Sequence, residues 1–131
     1  MDVAKWLVDE KGMDMKAVDN NGDNGFHSAC LGGKLDVAKW LVEVKGMDMK
    51  AVNNNGHNGF HWACYMGKLD VVKWLAEEKG MDMKEVDKHG GNALHAACIG
   101  GKLDVAKWLV EEKGIDLKAV NKVGKARRES A

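Results

Sequence analysis

Gly56-His57-Asn58-Gly59-Phe60-His61-Trp62-Ala63-Cys64-Tyr65-Met66-Gly67-Lys68-Leu69-Asp70-Val71-Val72-Lys73-Trp74-Leu75 opens a stretch of 34 residues that closes at His89, and its skeleton returns at Gly22 and again at Gly90. His27, His61 and His95 keep this period, as do Cys30, Cys64 and Cys98, and the series Trp6, Trp40, Trp74 and Trp108 carries it to the N-terminus. Aligned without gaps, the stretch from Gly22 matches the one from Gly56 at 23 of 34 positions. One supersecondary unit is therefore repeated along the chain.

Within each unit, glycine divides the pattern. Asn24, Asn58 and Asn92 stand where an amide oxygen can accept a free N–H of a first helical turn. A helix of about two turns is predicted from there, ending at Gly33, Gly67 or Gly101, since glycine tolerates the left-handed conformation of a helix terminus. A second helix follows. Leu69, Val72 and Leu75 or Ala76 share one of its faces, and Asp70, Lys73 and Glu77 another. It stops at Gly80, with Gly12, Gly46 and Gly114 in register. Met81-Asp82-Met83-Lys84 and the polar run through Asp87-Lys88-His89-Gly90 then read as an extended connection and a tight turn. Two short helices cannot bury their apolar faces alone, whereas stacked copies can, so the expected fold is an all-α repeat solenoid with a hairpin-like turn in each unit. A tetratricopeptide array shares the period, but it needs two longer helices with little glycine between them.

Asn58-Gly59-Phe60-His61-Trp62-Ala63-Cys64 and Asn92-Ala93-Leu94-His95-Ala96-Ala97-Cys98 resemble, in register, the Thr-Pro-Leu-His-x-Ala-Ala signature of the ankyrin repeat family. Gly67 to Leu75, followed by Lys79-Gly80-Met81-Asp82-Met83, is similar to that family's second helix and loop. The resemblance implies a single ankyrin-like domain over 1–131: a partial repeat over 1–21, full repeats over 22–55, 56–89 and 90–123, and the start of a capping repeat over 124–131. In that last segment Arg128 and Glu129 replace Phe60 and His61, as suits a terminal unit facing water, and the chain reads as a fragment that opens in mid-repeat. Two departures from the family matter. The Thr-Pro pair is replaced by Asn-Gly or Asn-Ala, so Gly25 and Gly59 are expected to loosen the helix start by about 0.5–1 kcal/mol relative to alanine. One extra residue per unit near Glu77-Glu78-Lys79 predicts a longer second helix or a wider loop.

Composition narrows the function classes. Of the 131 residues, 45% are apolar, enough for a core, and 20 basic against 20 acidic side chains give a net charge of zero. Such a chain has no long-range field to steer toward nucleic acid or an anionic membrane. No apolar run approaches the roughly 20 residues that span a bilayer, and Met1 to Glu10 belongs to the repeat pattern rather than to a signal peptide. Three cysteines at intervals of 34 cannot all pair in one molecule, which fits a reducing, intracellular and cytoplasmic setting; the chain is expected to be a monomer.

The threefold His-x-x-Cys pair is the sharpest candidate for metal chemistry, because i and i+3 share a helical face. Completing a tetrahedral site would need the neighbouring unit's pair, yet stacked helices lie about 8–10 Å apart while zinc holds sulfur at about 2.3 Å. The expectation is instead that the three histidines bond backbone between units, as the resemblance implies, and that the cysteines are small buried fillers. The same spacing argues against disulfides between neighbours. Trp40, Trp74 and Trp108 read as packing between units, and the Met pairs as filler beneath the loop. Neither a nucleophile with its base nor a phosphate loop is visible, so no catalytic residue, cofactor or metal is assigned.

Function is sought where the copies differ: Asp23, His57 and Gly91; Ser28, Trp62 and Ala96; Leu31, Tyr65 and Ile99; Gly32, Met66 and Gly100; Asn54, Lys88 and Lys122; Asn55, His89 and Val123. Helical spacing puts Trp62, Tyr65 and Met66 on a face away from Phe60, Ala63 and Cys64. The resemblance implies that hairpin tips and this face line a concave groove that grips proteins. His57, Trp62, Tyr65, Met66, Lys88 and His89 are accordingly the candidate centre of a protein-binding surface, with residue types enriched in interface cores. An equally weighted reading has Trp62 packing between units and Tyr65 as a lone exposed aromatic. Two function classes stand: a non-enzymatic protein-binding module, and a structural or engineered array with no dedicated partner.

Overall fold

The structure is a computed structural model and describes residues 12, 14 and 17–115. The partial repeat's Trp6, the tip residues Lys122 and Val123, and the segment 124–131 lie outside the described residues.

The described units each place a seven-residue helix, then a second helix whose last turn is widened, then a looped connection. The first helices are α1 (Gly25–Leu31), α3 (Gly59–Tyr65) and α5 (Ala93–Ile99). The second helices are α2 (Leu35–Lys39), α4 (Leu69–Lys73) and α6 (Leu103–Lys107). Each starts for a local reason. The Asn58 side chain accepts the His61 N–H at 2.8 Å, and His61 Nδ1 accepts the Asn58 N–H at 3.1 Å. Asn24 and His27 do the same at 3.0 and 2.9 Å. This is a capping box in which histidine takes the place of the usual glutamate or glutamine.

Each first helix also ends for a local reason. Gly67 lies at φ 71°, with Gly33 at 69° and Gly101 at 68°. The Gly67 N–H bonds the Cys64 carbonyl at 3.2 Å and the Lys68 N–H bonds the Ala63 carbonyl at 2.8 Å. Together these are the two bonds of a Schellman motif, which a β-carbon at the left-handed position would strain.

The extra residue of each unit lies within the continuing second helix rather than in a wider loop. It is taken up as a π-helical turn running on from the second helix, at Trp40–Val44, Trp74–Glu78 and Trp108–Glu112. The Lys79 N–H reaches the Trp74 carbonyl at 3.2 Å, five residues back, and Lys45 reaches Trp40 at 3.1 Å. Widening one turn absorbs a residue without displacing the helix from its neighbours.

The core runs between first helices. Phe26 and Phe60, then Leu94, occupy one register and are buried, as are Ala29, Ala63 and Ala97. On the second helices, burial takes in Val71 and Trp74 as well as Val72 and Leu75. A second row of contacts ties the widened turns together. Lys79 Nζ sits 5.9 Å from the Trp74 ring centre and 3.1 Å from Glu43 of the preceding unit. Lys113 repeats this over Trp108 at 5.3 Å, with Glu77 at 3.4 Å. Met81 is buried beneath the connection, and Met47, Met49 and Met83 are half-buried there.

Several sequence expectations need correction. The histidine bonds of the first two full units close those units on themselves: His27 Nε2 donates to the Ala51 carbonyl at 2.8 Å and His61 Nε2 to the Glu85 carbonyl at 2.9 Å, both within their own 34 residues. Cys30 and Cys64 are buried, but Cys98 is exposed. Gly59 of the next unit lies against Cys30. Gly59 is also more than a loose helix start, because a β-carbon there would come within 2.7 Å of the Phe26 ring and 2.8 Å of Cys30 Sγ.

The connections line up at one edge. Asn53 Oδ1 accepts the N–H groups of Asn55 and His57 at 2.9 and 3.0 Å, and Asp87 Oδ1 those of His89 and Gly91 at 2.8 and 2.9 Å. Successive tips then bond: the Asn54 N–H to the Asn21 carbonyl at 2.9 Å, and the Lys88 N–H to the Asn55 carbonyl at 3.0 Å. No strand forms among the described residues.

Candidate functional site

The two junctions between consecutive described units are built alike and filled differently. At the first, the Asp23 carboxylate receives the Asn53 Nδ2–H at 3.0 Å and the Trp62 Nε1–H at 2.9 Å on the same oxygen. The indole of one unit is thereby tied to the hairpin of the unit before. At the second junction every partner has changed. Position 23 becomes His57, position 53 becomes Asp87, and position 62 becomes Ala96. His57 Nε2 donates to Asp87 Oδ2 at 3.0 Å, so the donor and acceptor have exchanged sides while the bond survives.

Ala96 supplies no ring, and a cavity of about 270 Å³ opens between α3 and α5. One wall is aromatic. His57 meets Trp62 at 5.7 Å and 66°, and Trp62 meets Tyr65 at 6.0 Å and 82°, both edge-to-face. His61 closes the inner end, 5.8 Å from His57. Opposite stand Gly91, Asn92, His95, Ala96 and Ile99, with Asp87 at the hairpin end.

His27 and His61 are poor candidates for chemistry. His61 Nδ1 accepts the Asn58 N–H and its Nε2–H is given to Glu85, so both nitrogens are committed to backbone. Burial is the main influence on its pKa and holds it below the ordinary value near 6.5, with His57 acting in the same direction. Burial likewise pushes the Cys30 and Cys64 thiols up, which disfavours the thiolate that a metal or an electrophile would need. Among the described residues no group of three or more His, Cys, Asp or Glu is placed to hold a metal ion, and no helix is long and apolar enough to cross a membrane.

Of the six residues chosen from sequence, His57, Trp62 and Tyr65 line the cavity. Trp62 is half-buried and does pack across the first junction, while Tyr65 is 39% exposed at the cavity's mouth. Met66, 37% exposed, caps the end of α3 outside the cavity, and Lys88 and His89 are exposed at the hairpin tip. The remaining walls were not singled out. Gly91, Ala96 and Ile99 do stand among the positions where the copies differ, and a small residue at 96 beside Trp62 was the available signal. Asp87 reads in sequence as turn chemistry alone; its bond to His57 depends on how two units meet.

A family model of ankyrin repeats, in three copies, matches residues 1–87 and 45–121. No curated protein sequence matches the chain significantly. The helix pair, the connecting hairpin and their recurrence in one register agree with a match that spans nearly all of the sequence: the chain belongs to the ankyrin repeat family.

Proposed function

We propose that this chain is a non-enzymatic protein–protein interaction module whose partner lies against the hairpins and first helices of the middle and third units. Ankyrin repeats are in general modules of this kind, and the family is typically non-enzymatic. The observation that carries the reading is the clustering of exposed Tyr65 and Met66 with half-buried Trp62 beside an open cavity, on the face where the copies differ most. Aromatic and methionine side chains at such a spot supply desolvated anchors, and Lys88 and His89 a polar rim. The groove is preorganised by the stack, so little ordering entropy opposes binding. Nucleic acid and membrane are not expected partners for a chain of zero net charge.

Trp62→Ala alone is an ambiguous probe, because that indole also ties two units together. Tyr65→Ser with Lys88→Glu changes exposed side chains and spares the core. The test is cross-linking mass spectrometry of cell lysate with the wild-type chain and this double variant, with thermal melts alongside. Cross-links that fall on the Tyr65 and Lys88 face, and vanish in a double variant of unchanged melting temperature, support the reading. Equal cross-linking by both proteins, or none by either, refutes it and leaves the alternative of a structural array with no dedicated partner.

A further inference from the structure

We propose that the cavity between α3 and α5 is a receptor for an indole ring carried by a partner protein, the same group that the chain inserts for itself one unit earlier. The inference rests on the protein-binding reading above and names the chemistry of its anchor. Translation by 34 residues carries Trp62 onto Ala96 and Asp23 onto His57. At the first junction the Trp62 indole spans the units and donates its Nε1–H to the side chain at position 23. At the second junction the ring is missing and its space remains, about 270 Å³. A cavity of about 150 Å³ accepts benzene, so this one has room for a fused second ring.

The polar partner is also replaced in kind. His57 gives its Nε2–H to Asp87, and when the imidazole carries a single proton its other nitrogen is an acceptor, as the Asp23 carboxylate is for Trp62. Tyr65 and Trp62 offer ring edges and faces in the orientation that aromatic neighbours prefer. The source of the indole follows from the mouth of the cavity. Ile99, 53% exposed, and Tyr65, 39% exposed, flank it, and a backbone carrying the ring would cover both, whereas free indole would leave them in water.

The test is ¹⁵N-NMR titration of the full chain with N-acetyl-tryptophanamide, with indole and with tetramethylammonium. Saturable shifts at the amides of Gly91, Asn92 and Ala96, at least fivefold tighter for N-acetyl-tryptophanamide than for indole, are expected. Ala96→Trp, which fills the space from within, is expected to abolish them, and Ala96→Leu does the same if the tryptophan variant folds poorly. Absence of saturable shifts, equal response in the filled variants, equal affinity for free indole, or a response to tetramethylammonium alone would each overturn the proposal. Its failure is separable from that of the protein-binding reading: cross-linking that disappears with Tyr65→Ser and Lys88→Glu but survives Ala96→Trp keeps the partner and removes the indole anchor.

Discussion

Replacing His57 by Asp and Asp87 by Asn together should transplant the first junction's polar pair into the second. His57→Asp alone sets two carboxylates against each other where His57 Nε2 now lies 3.0 Å from Asp87 Oδ2. The shorter side chain leaves the charges about 4–6 Å apart, and at an effective dielectric of about 20 their repulsion is about 3–4 kcal/mol. Protonation of one carboxyl sets a ceiling of similar size, since about three units between its ordinary pKa and pH 7 correspond to about 4 kcal/mol. The expected loss is about 2–4 kcal/mol. Asp87→Asn alone is milder, because the amide oxygen can keep the His89 and Gly91 N–H bonds as Asn53 keeps its own pair. The imidazole can then change tautomer to accept from the amide, and a cost of about 1 kcal/mol is expected. In the double variant the amide donates to the new carboxylate as Asn53 does to Asp23, and stability should return to within about 1 kcal/mol of wild type. Urea unfolding of the four proteins measures the cycle, with His57→Asn as a control for the lost ring contacts. If the two single losses simply add in the double variant, the pairs are not equivalent and the comparison of junctions is wrong.

Other perturbations test separate parts of the account. Gly100→Ala puts a β-carbon into the Tyr65 carbonyl oxygen of the preceding unit and should cost about 1–3 kcal/mol. Gly32→Ala, whose β-carbon meets nothing nearer than the Ser28 oxygen at 3.4 Å, should be neutral or slightly stabilising in the same denaturant assay. His61 is held neutral by burial, so the folded state binds fewer protons than the unfolded chain between its lowered pKa and the ordinary value near 6.5. Stability should therefore fall as pH drops below about 6.5, with a shallower slope in His61→Gln; identical slopes would contradict this. Asn58→Ala removes the acceptor of the His61 N–H and should cost about 1–2 kcal/mol by thermal melting. Deleting Glu78 should let the turn after Trp74 close with ordinary helical bonds, and the variant should keep its helical circular dichroism; an unfolded product would refute the view that the π turn merely absorbs a residue.

Period, caps and glycine terminators were legible in the sequence because they are local. Asn58 and Gly67 act within a few residues of themselves, and their roles follow from backbone chemistry. The π turn was not legible, because an extra residue after Trp74 can equally lengthen a helix or widen a loop, and the contact that holds the widened turn, Lys79 over Trp74 and against Glu43 of the preceding unit, crosses between units. The candidate site divides along the same line. Trp62 and Tyr65 were visible as helix-face residues, whereas the cavity is a property of Ala96, thirty-four residues away, seen only once two units are set side by side. The polarity exchange between Asp23 with Asn53 and His57 with Asp87 likewise crosses thirty residues and two loops.

The most direct measurement of the repeat symmetry behind this reading is a crystal structure of Ala96→Trp. The introduced indole should lie in the space between α3 and α5, its N–H directed at the His57 side chain, with the stack of first helices unmoved. An indole turned out to solvent, with the cavity still open beside Trp62, would contradict the claim that the second junction is the first with its ring removed.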